Sequence, residues 1–305
     1  MEKIVVVTRK TRLQELIERF NTRGQAKFYI EHAGGDFAEY EKEDDAYSRS
    51  REMVQRSLDL ELKVQFIDRS FLPTFVFTND DLVVTLGQDG LVANTAKYVK
   101  GQPIIAVNPD PERFDGILLP FLPKDARAAA LTVINGKAQI RGVTMAEAVF
   151  NDSQRMLAFN DLFIGARSHV SARYKIRLDQ KQEAQSSSGV LVSTGAGSTG
   201  WLSSVFNMAR GVASLTGARS GPGIRMNWED PRLVFVVREP FASRHSSAEI
   251  VAGMIAGGKE LVLESVMPSG GCVFSDGIEA DFVEFNSGSI ARVRAASQRA
   301  QLVVA

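Results

Sequence analysis

Hydrophobic and polar positions along the first third of the chain follow the patterns of strands and helices in turn. A β-branched run at residues 4–7 (Ile-Val-Val-Val) predicts a buried strand. Leu13, Leu16, Ile17 and Phe20 follow at the spacing i, i+3, i+4, i+7, which predicts one face of a helix. Helical character returns at residues 91–99, and further strand-like runs lie at residues 63–67, 82–86 and 103–107. This alternation predicts parallel βαβ units and a doubly wound sheet.

Three segments carry weaker signals. Residues 34–45 are acidic, and we interpret them as a loop, whereas the scattered apolar positions of residues 47–60 are typical of a weak helix. An Asn-Gly pair at residues 135–136 stands between strand-like runs at residues 131–134 and 138–140. Because Asn-Gly is a favoured hairpin turn, this arrangement predicts a β-hairpin.

After about residue 123 the pattern becomes that of a β-rich domain. Tyr174, Ile176 and Leu178 alternate with polar residues, which predicts a strand with one solvent-exposed face. Further strand-like runs lie at residues 190–192, 233–237, 261–263 and 272–274. Short strands at this spacing predict a second, β-rich domain.

Composition and charge narrow the class of function. The length of 305 residues allows roughly two domains of about 150 residues each. Lys and Arg number 36, as do Asp and Glu, and this zero net charge argues against a general nucleic-acid binder. The single cysteine, Cys272, leaves no internal disulfide and no Cys-rich metal site. Since no apolar run approaches ~18 residues and the N-terminus shows no signal-peptide pattern, we expect a cytoplasmic protein with no membrane partner.

The segment Gly-Gln-Asp-Gly at residues 87–90, here named the GQDG loop, directly follows the strand-like run 82–86. A glycine turn between a parallel strand and a helix lets backbone N–H groups approach a phosphate, and ligands usually bind at the carboxyl ends of such strands. Its acidic residue can bind Mg²⁺ or accept a proton from an attacking hydroxyl. The alternative is an Asp-Gly turn that only connects strand and helix.

A second glycine-rich segment contains Gly195, Gly197 and Gly200 at the G-x-G-x-x-G spacing of dinucleotide-binding loops. The context that this motif requires is missing, because no acidic residue ends a following strand ~20 residues later. A Gly/Ser-rich loop of the β-domain is therefore the alternative. The small residues here can still line a ligand, and Trp201 is available for stacking on a base.

Four motifs in a fixed order resemble those of the NAD kinases. They are the GQDG loop, Asn160-Asp161, residues 194–199 (Thr-Gly-Ala-Gly-Ser-Thr) and Asp276-Gly277. The likeness is closest to the mitochondrial-type NAD kinases and their bacterial relatives, whose Asn-Glu-Val-Phe-Ile-Gly is similar to residues 160–165 (Asn-Asp-Leu-Phe-Ile-Gly). The resemblance covers most of the chain.

This resemblance implies a fold, a reaction and an assembly. The fold is a Rossmann-like α/β domain at residues 1–124 followed by a β-sandwich domain at residues 125–305. Whether the C-terminal tail packs back on the first domain is left open. The reaction transfers the γ-phosphoryl group of ATP, with Mg²⁺, to the adenosine-ribose 2′-hydroxyl of NAD, which gives NADP. The preference for NAD or NADH, and for ATP or polyphosphate, is left open. A homodimer is expected.

The resemblance also assigns site residues. Asp89 is placed near the reacting hydroxyl and the metal-bound phosphates as the catalytic residue, and no side chain is assigned as a resident metal ligand. Nucleotide-binding positions are implied at Gly87, Gln88, Gly90, Asn108, Asn160, Asp161, Thr194, Gly197, Ser198, Thr199, Trp201, Ser204, Asp276 and Gly277.

The chain departs from the family in the loop itself. Gln88 replaces the second glycine of Gly-Gly-Asp-Gly, and Leu91 replaces the threonine that follows. A position that needs φ > 0 would exclude Gln88, whereas at φ < 0 its amide can donate to a phosphate. These departures keep two alternatives open: a nucleotide-binding homologue with little or no activity and a regulatory role, and a kinase of another hydroxyl on a lipid or sugar.

Overall fold

The computed structural model describes residues 1–218 and 221–305, and these residues form two units. The first unit holds Met1–Arg141 and Gln301–Ala305, and the second holds Gly142–Ala300. The division expected at residues 124 and 125 lies inside the first unit. In the described part of the chain, no helix combines the length and the apolar character needed to cross a membrane.

A parallel sheet forms the centre of the first unit, in the strand order β2-β1-β3-β4. Its strands are β1 (Lys3–Thr8), β2 (Lys63–Asp68), β3 (Asp81–Leu86) and β4 (Pro103–Val107). All six residues of β3 are buried, which agrees with its apolar sequence and with a strand covered on both faces. The four strands predicted from the hydrophobic runs are therefore confirmed.

Helices of the first unit are α1 (Arg12–Phe20), α2 (Arg23–His32), α3 (Phe37–Ser57), α4 (Asp89–Ala96) and α5 (Ala126–Ile134). The helix predicted from Leu13 onward is α1, and it begins with a capping box. The Thr11 side chain accepts from the backbone N–H of Gln14, and the Gln14 side chain accepts from the backbone N–H of Thr11.

Two predictions for this unit were wrong. Most of the acidic segment 34–45 is not a loop but the start of α3, where the Asp36 side chain caps the backbone N–H of Ala38 and Phe37 is buried. Residues 131–134 are not a hairpin strand but the end of α5, whose alanine-rich sequence favours a helix. The Asn-Gly pair ends this helix, because Gly136 has a φ of +66° and so takes the left-handed position typical of a helix C-terminus.

The second unit is built from two antiparallel sheets that share one apolar core, as the predicted β-sandwich requires. One sheet has the strand order β12-β11-β10-β7-β14-β15. The other sheet contains β13, β8 and β9 in that order, together with β5 and β6, which pair with each other. The helix α6 (Trp201–Leu215) packs on the outer face of the first of these sheets through Leu202. The strands are β5 (Ile140–Phe150), β6 (Arg155–Ala158), β7 (Asp161–Ala166), β8 (Ala172–Leu178), β9 (Lys181–Ser187), β10 (Val190–Ser193), β11 (Leu233–Val237), β12 (Ala252–Ile255), β13 (Leu261–Ser265), β14 (Gly271–Ser275) and β15 (Ile278–Glu284).

The last strand, β16 (Ile290–Val303), contributes residues to both units. Its beginning pairs antiparallel with β13 in the second unit. Its end, at Gln301 and Leu302, pairs parallel with β4 in the first.

Candidate functional site

The GQDG loop lies at the carboxyl end of β3, where α4 begins. Gln88 is the residue before the helix and has φ −93° and ψ 168°, an extended conformation that any residue adopts. The glutamine therefore imposes no left-handed strain on the loop. Leu91 is buried, and its Cδ2 atom would lie 2.7 Å from a Cβ at Gly87, so the leucine packs directly against the first glycine of the loop.

The Asp89 carboxylate is half-buried in the first turn of α4, where a negative charge is favourable. Its Oδ1 atom accepts a hydrogen bond of 2.6 Å from the backbone N–H of Leu118. Its second oxygen makes no hydrogen bond to the residues that the structure describes. One oxygen is thus fixed by the fold while the other is left for a ligand.

Asn108 holds the segment that contacts Asp89, rather than presenting a free amide. Its Nδ2 donates to the Phe114 carbonyl at 3.0 Å, and its Oδ1 accepts from the Asp110 N–H at 3.0 Å. Gly116 closes the same segment with φ +65°, and a Cβ there would lie 2.6 Å from Asn108 Nδ2. Asn108 therefore influences the GQDG loop indirectly, because it holds residues 108–118, whose Leu118 N–H bonds Asp89.

Two residues without an assigned role in the sequence analysis support the start of the GQDG loop. The Tyr47 hydroxyl donates to the Leu86 carbonyl at 2.9 Å and accepts from the Arg9 N–H at 3.1 Å. The Arg9 guanidinium lies 5.7 Å from the centroids of both Tyr47 and Phe114 and pairs with Glu43. Burial would raise the pKa of Glu43, but hydrogen bonds from Arg12 and Arg9 outweigh it and hold that pKa below its ordinary value. None of the four motifs found in the sequence includes Arg9 or Tyr47.

In the second unit, Asp276 of the Asp276-Gly277 motif contacts the backbone of the Asn160-Asp161 motif. The Asp276 carboxylate accepts from the backbone N–H groups of Phe159 (3.0 Å), Asn160 (2.6 Å) and Asp161 (3.2 Å). Asp276 and Gly277 have φ values of +53° and +71° in the tight turn between β14 and β15. Asp276 thus fixes the backbone of residues 159–161 and leaves the Asn160 and Asp161 side chains free to face elsewhere.

The loop at residues 194–200 packs against the same three residues. The Thr194 hydroxyl donates to the Phe159 carbonyl at 2.6 Å, and the Thr194 N–H donates to the Asn160 carbonyl at 2.9 Å. A Cβ on Gly197 would lie 2.3 Å from the Asn160 carbonyl oxygen and 2.7 Å from Asp161 Oδ1. Only glycine allows this approach.

The structure places the remaining predicted residues of this region in three environments: Ser198, then Thr199 with Ser204, and Trp201. The buried Ser198 hydroxyl bonds the Gly195 carbonyl (2.7 Å) and the Met226 N–H (3.2 Å), so it shapes the loop. Thr199 and Ser204 are exposed at its outer side. The Trp201 ring stacks on Phe163 with the centroids 5.8 Å apart, and the predicted base-stacking residue is therefore partly covered by protein.

Phe163 and Arg238 are members of this aromatic group that sequence reasoning missed. The Arg238 guanidinium lies 5.8 Å from the Phe163 ring centroid and 5.4 Å from that of Trp201. Phe163 lies within the segment 160–165 that carried the family resemblance, but nothing in the sequence indicates that Arg238 reaches it across β10.

Asp161 is the most strongly perturbed carboxyl group of the cluster. Burial raises its pKa from 3.8 to about 7, the Ser193 hydroxyl partly opposes this shift, and the charge of Asp276 adds to it. Its buried Oδ1 atom has no hydrogen-bond partner in the described chain. A carboxyl group that is half-protonated near neutral pH donates as well as accepts a hydrogen bond.

This shift predicts that the second unit loses stability as the pH rises. Between about pH 4 and 7 the folded state holds a proton on Asp161 that the unfolded state has released, so the contribution of this group to stability is greatest below pH 4 and falls as the pH rises to 7. The slope from this group is at most about 1.4 kcal/mol per pH unit. Urea unfolding between pH 5 and 8, followed by tryptophan fluorescence, measures it, since Trp201 and Trp228 both lie in this unit. Asp161→Asn is expected to remove the slope, and an equal slope in the variant would contradict the assignment.

No protein-family profile matches the chain. A NAD kinase from Chlorobium phaeobacteroides (strain BS1) is 30% identical over 172 residues, which cover 52% of this chain and 59% of that protein. The chain thus spans about three fifths of the length of the curated relative that it matches.

Two solved structures share the fold. The crystal structure of yeast NADH kinase complexed with NADH matches with a TM-score of 0.58 and 18% identity, over 100% of this chain and 84% of that one. An Archaeoglobus fulgidus NAD kinase in complex with ATP matches with a TM-score of 0.58 and 16% identity, over 98% and 93% of the two chains. These two structures confirm the predicted fold class, and the resemblance to NAD kinases is confirmed by the Chlorobium phaeobacteroides protein over 172 residues.

Proposed function

We propose that the chain is a phosphotransferase of the NAD kinase type, which transfers the γ-phosphoryl group of ATP to the adenosine-ribose 2′-hydroxyl of NAD(H). The observation that carries this proposal is the convergence of two motifs, residues 194–199 and Asp276-Gly277, on a third one distant in sequence, Asn160 and the buried Asp161. The GQDG loop, at the carboxyl end of a parallel strand and the start of a helix, supports it from the other unit. A homodimer in the cytoplasm remains part of the proposal.

Asp89 is the proposed catalytic residue of the first unit. Its free oxygen suits either acceptance of the proton from the attacking hydroxyl or ligation of Mg²⁺, which prefers carboxylate oxygen. The described residues contain no cluster of three side chains that would hold a metal by themselves. This fits Mg²⁺, because that ion is commonly held by one or two carboxylates and the phosphates of its nucleotide, whose charge it neutralises.

Asn160 and Asp161 are the proposed contacts for the adenosine part of NAD in the second unit. With a pKa of about 7, Asp161 is neutral in a large fraction of molecules at physiological pH. A neutral carboxyl donates a hydrogen bond to a ribose oxygen without repelling the phosphates of an anionic dinucleotide. The exposed hydroxyls of Thr199 and Ser204 are further proposed donors to the nucleotide.

A nucleotide-binding homologue with little activity is the second candidate, because Leu91 stands where the family has threonine. Leucine has no hydroxyl, and the Leu91 side chain is buried, so this position offers no polar group at the start of α4. The conformation of Gln88 argues against this candidate, since φ −93° accepts glutamine without strain. The two candidates differ in turnover and not in nucleotide binding.

An assay of NADP formation tests the proposal. Purified protein with NAD or NADH, ATP and Mg²⁺ is expected to form NADP(H), detected with an NADP-specific coupled enzyme. Gln88→Gly is expected to change the rate by less than about tenfold, because the backbone already fits glutamine. Binding of NAD and ATP without any turnover would favour the second candidate, and a large gain in Gln88→Gly would show that the loop is the limiting departure.

A further inference from the structure

A cavity of about 620 Å³ lies in the first unit beside the hairpin of helices α1 and α2. The hairpin is tight because Asn21 ends α1 in the left-handed conformation, with φ +64°, and the Thr22 side chain caps the backbone N–H of Gln25 at the start of α2. Leu13 and Ile30 belong to one apolar cluster that packs the two helices together. The last residues of α1 and one face of α2 line the cavity, whose volume is typical of a site for a small organic molecule.

Aromatic rings from both helices line this cavity, here named the α1–α2 cavity: Phe20 from α1, and Phe28, Tyr29 and His32 from α2. The ring centroids of Phe20 and Tyr29 lie 4.6 Å apart. Those of Phe28 and His32 lie 5.4 Å apart in a stacked arrangement. Phe28 is nevertheless 69% exposed, and Tyr29 is 44% exposed. Because aromatic rings gain free energy from burial and from stacking, a planar apolar molecule is a favourable occupant of this cavity.

The charged group in the lining decides the charge of that occupant. The Arg19 guanidinium lies 5.2 Å from the Phe20 ring centroid and has no carboxylate partner in the described chain. The neighbouring Glu18 pairs with Lys10 instead, and Glu31 pairs within its own helix. Among the described residues that line the cavity, none is acidic. An aromatic cation would therefore be repelled, whereas a carboxylate gains a charge-assisted pair with the free N–H donors of Arg19.

We propose that the α1–α2 cavity binds an aromatic carboxylate, a ligand class separate from the nucleotides of the proposed reaction. The ring of the ligand stacks on Phe28 and Tyr29, and its carboxylate pairs with Arg19. One guanidinium matches one carboxylate in a bidentate pair, whereas the phosphates of a nucleotide carry several negative charges. The described lining of the cavity shares no residue with the GQDG loop, so this site does not rest on the proposed function.

Equilibrium dialysis of four probes of similar size against the full chain tests the site. The probes are 2-naphthoate, its neutral amide 2-naphthamide, the cation 2-naphthylmethylammonium, and decanoate, an anion without a ring. We expect 2-naphthoate to bind with a Kd below about 1 mM, because a ligand of this size gains only a small free energy per atom. Each of the other three probes is expected to bind at least about fivefold more weakly, since it lacks the negative charge or the ring.

Two variants place the bound probe in the cavity. Arg19→Gln is expected to weaken 2-naphthoate about tenfold and to leave 2-naphthamide unchanged, because only the anion uses the guanidinium. Phe28→Ala is expected to weaken both probes about fivefold, since both stack on the ring. Arg19 and Phe28 are exposed, so neither variant disturbs the apolar cluster of the hairpin. Arg49→Gln removes one positive charge from an exposed position of α3 outside the cavity and is the matched control, with unchanged binding expected.

The outcomes that would overturn the proposal are specific. They are a chain that does not bind 2-naphthoate, one that binds the amide or the cation equally well, and an Arg19→Gln variant with unchanged affinity for 2-naphthoate. Equal binding of decanoate would show that the rings do not select the ligand, and an Arg49→Gln variant as weak as Arg19→Gln would show that only the net charge matters. Either result would also overturn the proposal. Circular dichroism of each variant verifies the fold. Because no turnover is measured, failure of the proposed function would leave these outcomes unaffected.

Discussion

Replacing Asp89 with asparagine is expected to lower the rate of NADP formation by about a thousandfold, the order of effect that follows loss of a group acting on the transferred proton or phosphates. The fold is expected to survive, because asparagine keeps an oxygen that accepts the N–H of Leu118, the one hydrogen bond that the Asp89 side chain makes to residues 1–218 and 221–305. The kcat for NADP formation should fall, while the affinity for NAD, measured by calorimetry, stays within about threefold of the unmodified chain.

The control for Asp89 is chosen from the segment that contacts it. Asp115→Asn removes an exposed carboxylate from residues 108–118 and is expected to leave the rate unchanged, since this side chain makes no hydrogen bond or ion pair with the described residues. A rate for Asp89→Asn within tenfold of the unmodified chain would show that this carboxyl does no chemistry. The GQDG loop would then be a connector between strand and helix, the alternative that the sequence left open.

The hydrophobic pattern predicted those strands whose sequence is determined mainly by burial. Strands β1 and β3 are buried on both faces, so their apolar runs could serve only a sheet interior. Whereas the second half of α3 is predicted as a weak helix, its first half is predicted as a loop, because its exposed face is acidic and its buried positions are few. Glu43, one of them, is buried only because Arg9 and Arg12 from elsewhere in the chain pair with it. No local pattern contains those partners.

In the candidate site, too, the local sequence indicated some features, and others depend on residues distant in the chain. The order of the motifs indicated which segments matter, but not what each side chain does. Asn108 and Ser198 are predicted nucleotide-binding positions, and the structure adds that the polar groups of both side chains hold loops. Arg238 was missed because its place over Phe163 and Trp201 depends on strand register, which a single sequence does not specify.

Replacing Gly197 with alanine is expected to be among the most damaging single substitutions in the second unit. The new Cβ would lie 2.3 Å from the carbonyl oxygen of Asn160, 2.6 Å from Ser193 Oγ and 2.7 Å from Asp161 Oδ1. The carbonyl is held by the N–H of Thr194 and cannot move without disrupting the loop at residues 194–200. The expected cost is about 3 kcal/mol in the free energy of unfolding, together with loss of NAD binding.

Gly211→Ala is the matched control, and its expected effect has the opposite sign. Gly211 lies inside the exposed helix α6, and a Cβ there meets no atom within 4 Å, so alanine should raise the free energy of unfolding by about 0.5 to 1 kcal/mol. Urea unfolding followed by the fluorescence of Trp201 and Trp228 compares both variants in the unit that contains them. If Gly197→Ala were as stable as Gly211→Ala and still bound NAD, the close packing of the 194–200 loop on Asn160 and Asp161 would not be what forms the site. The convergence of motifs that supports the proposed function would then lose its physical basis.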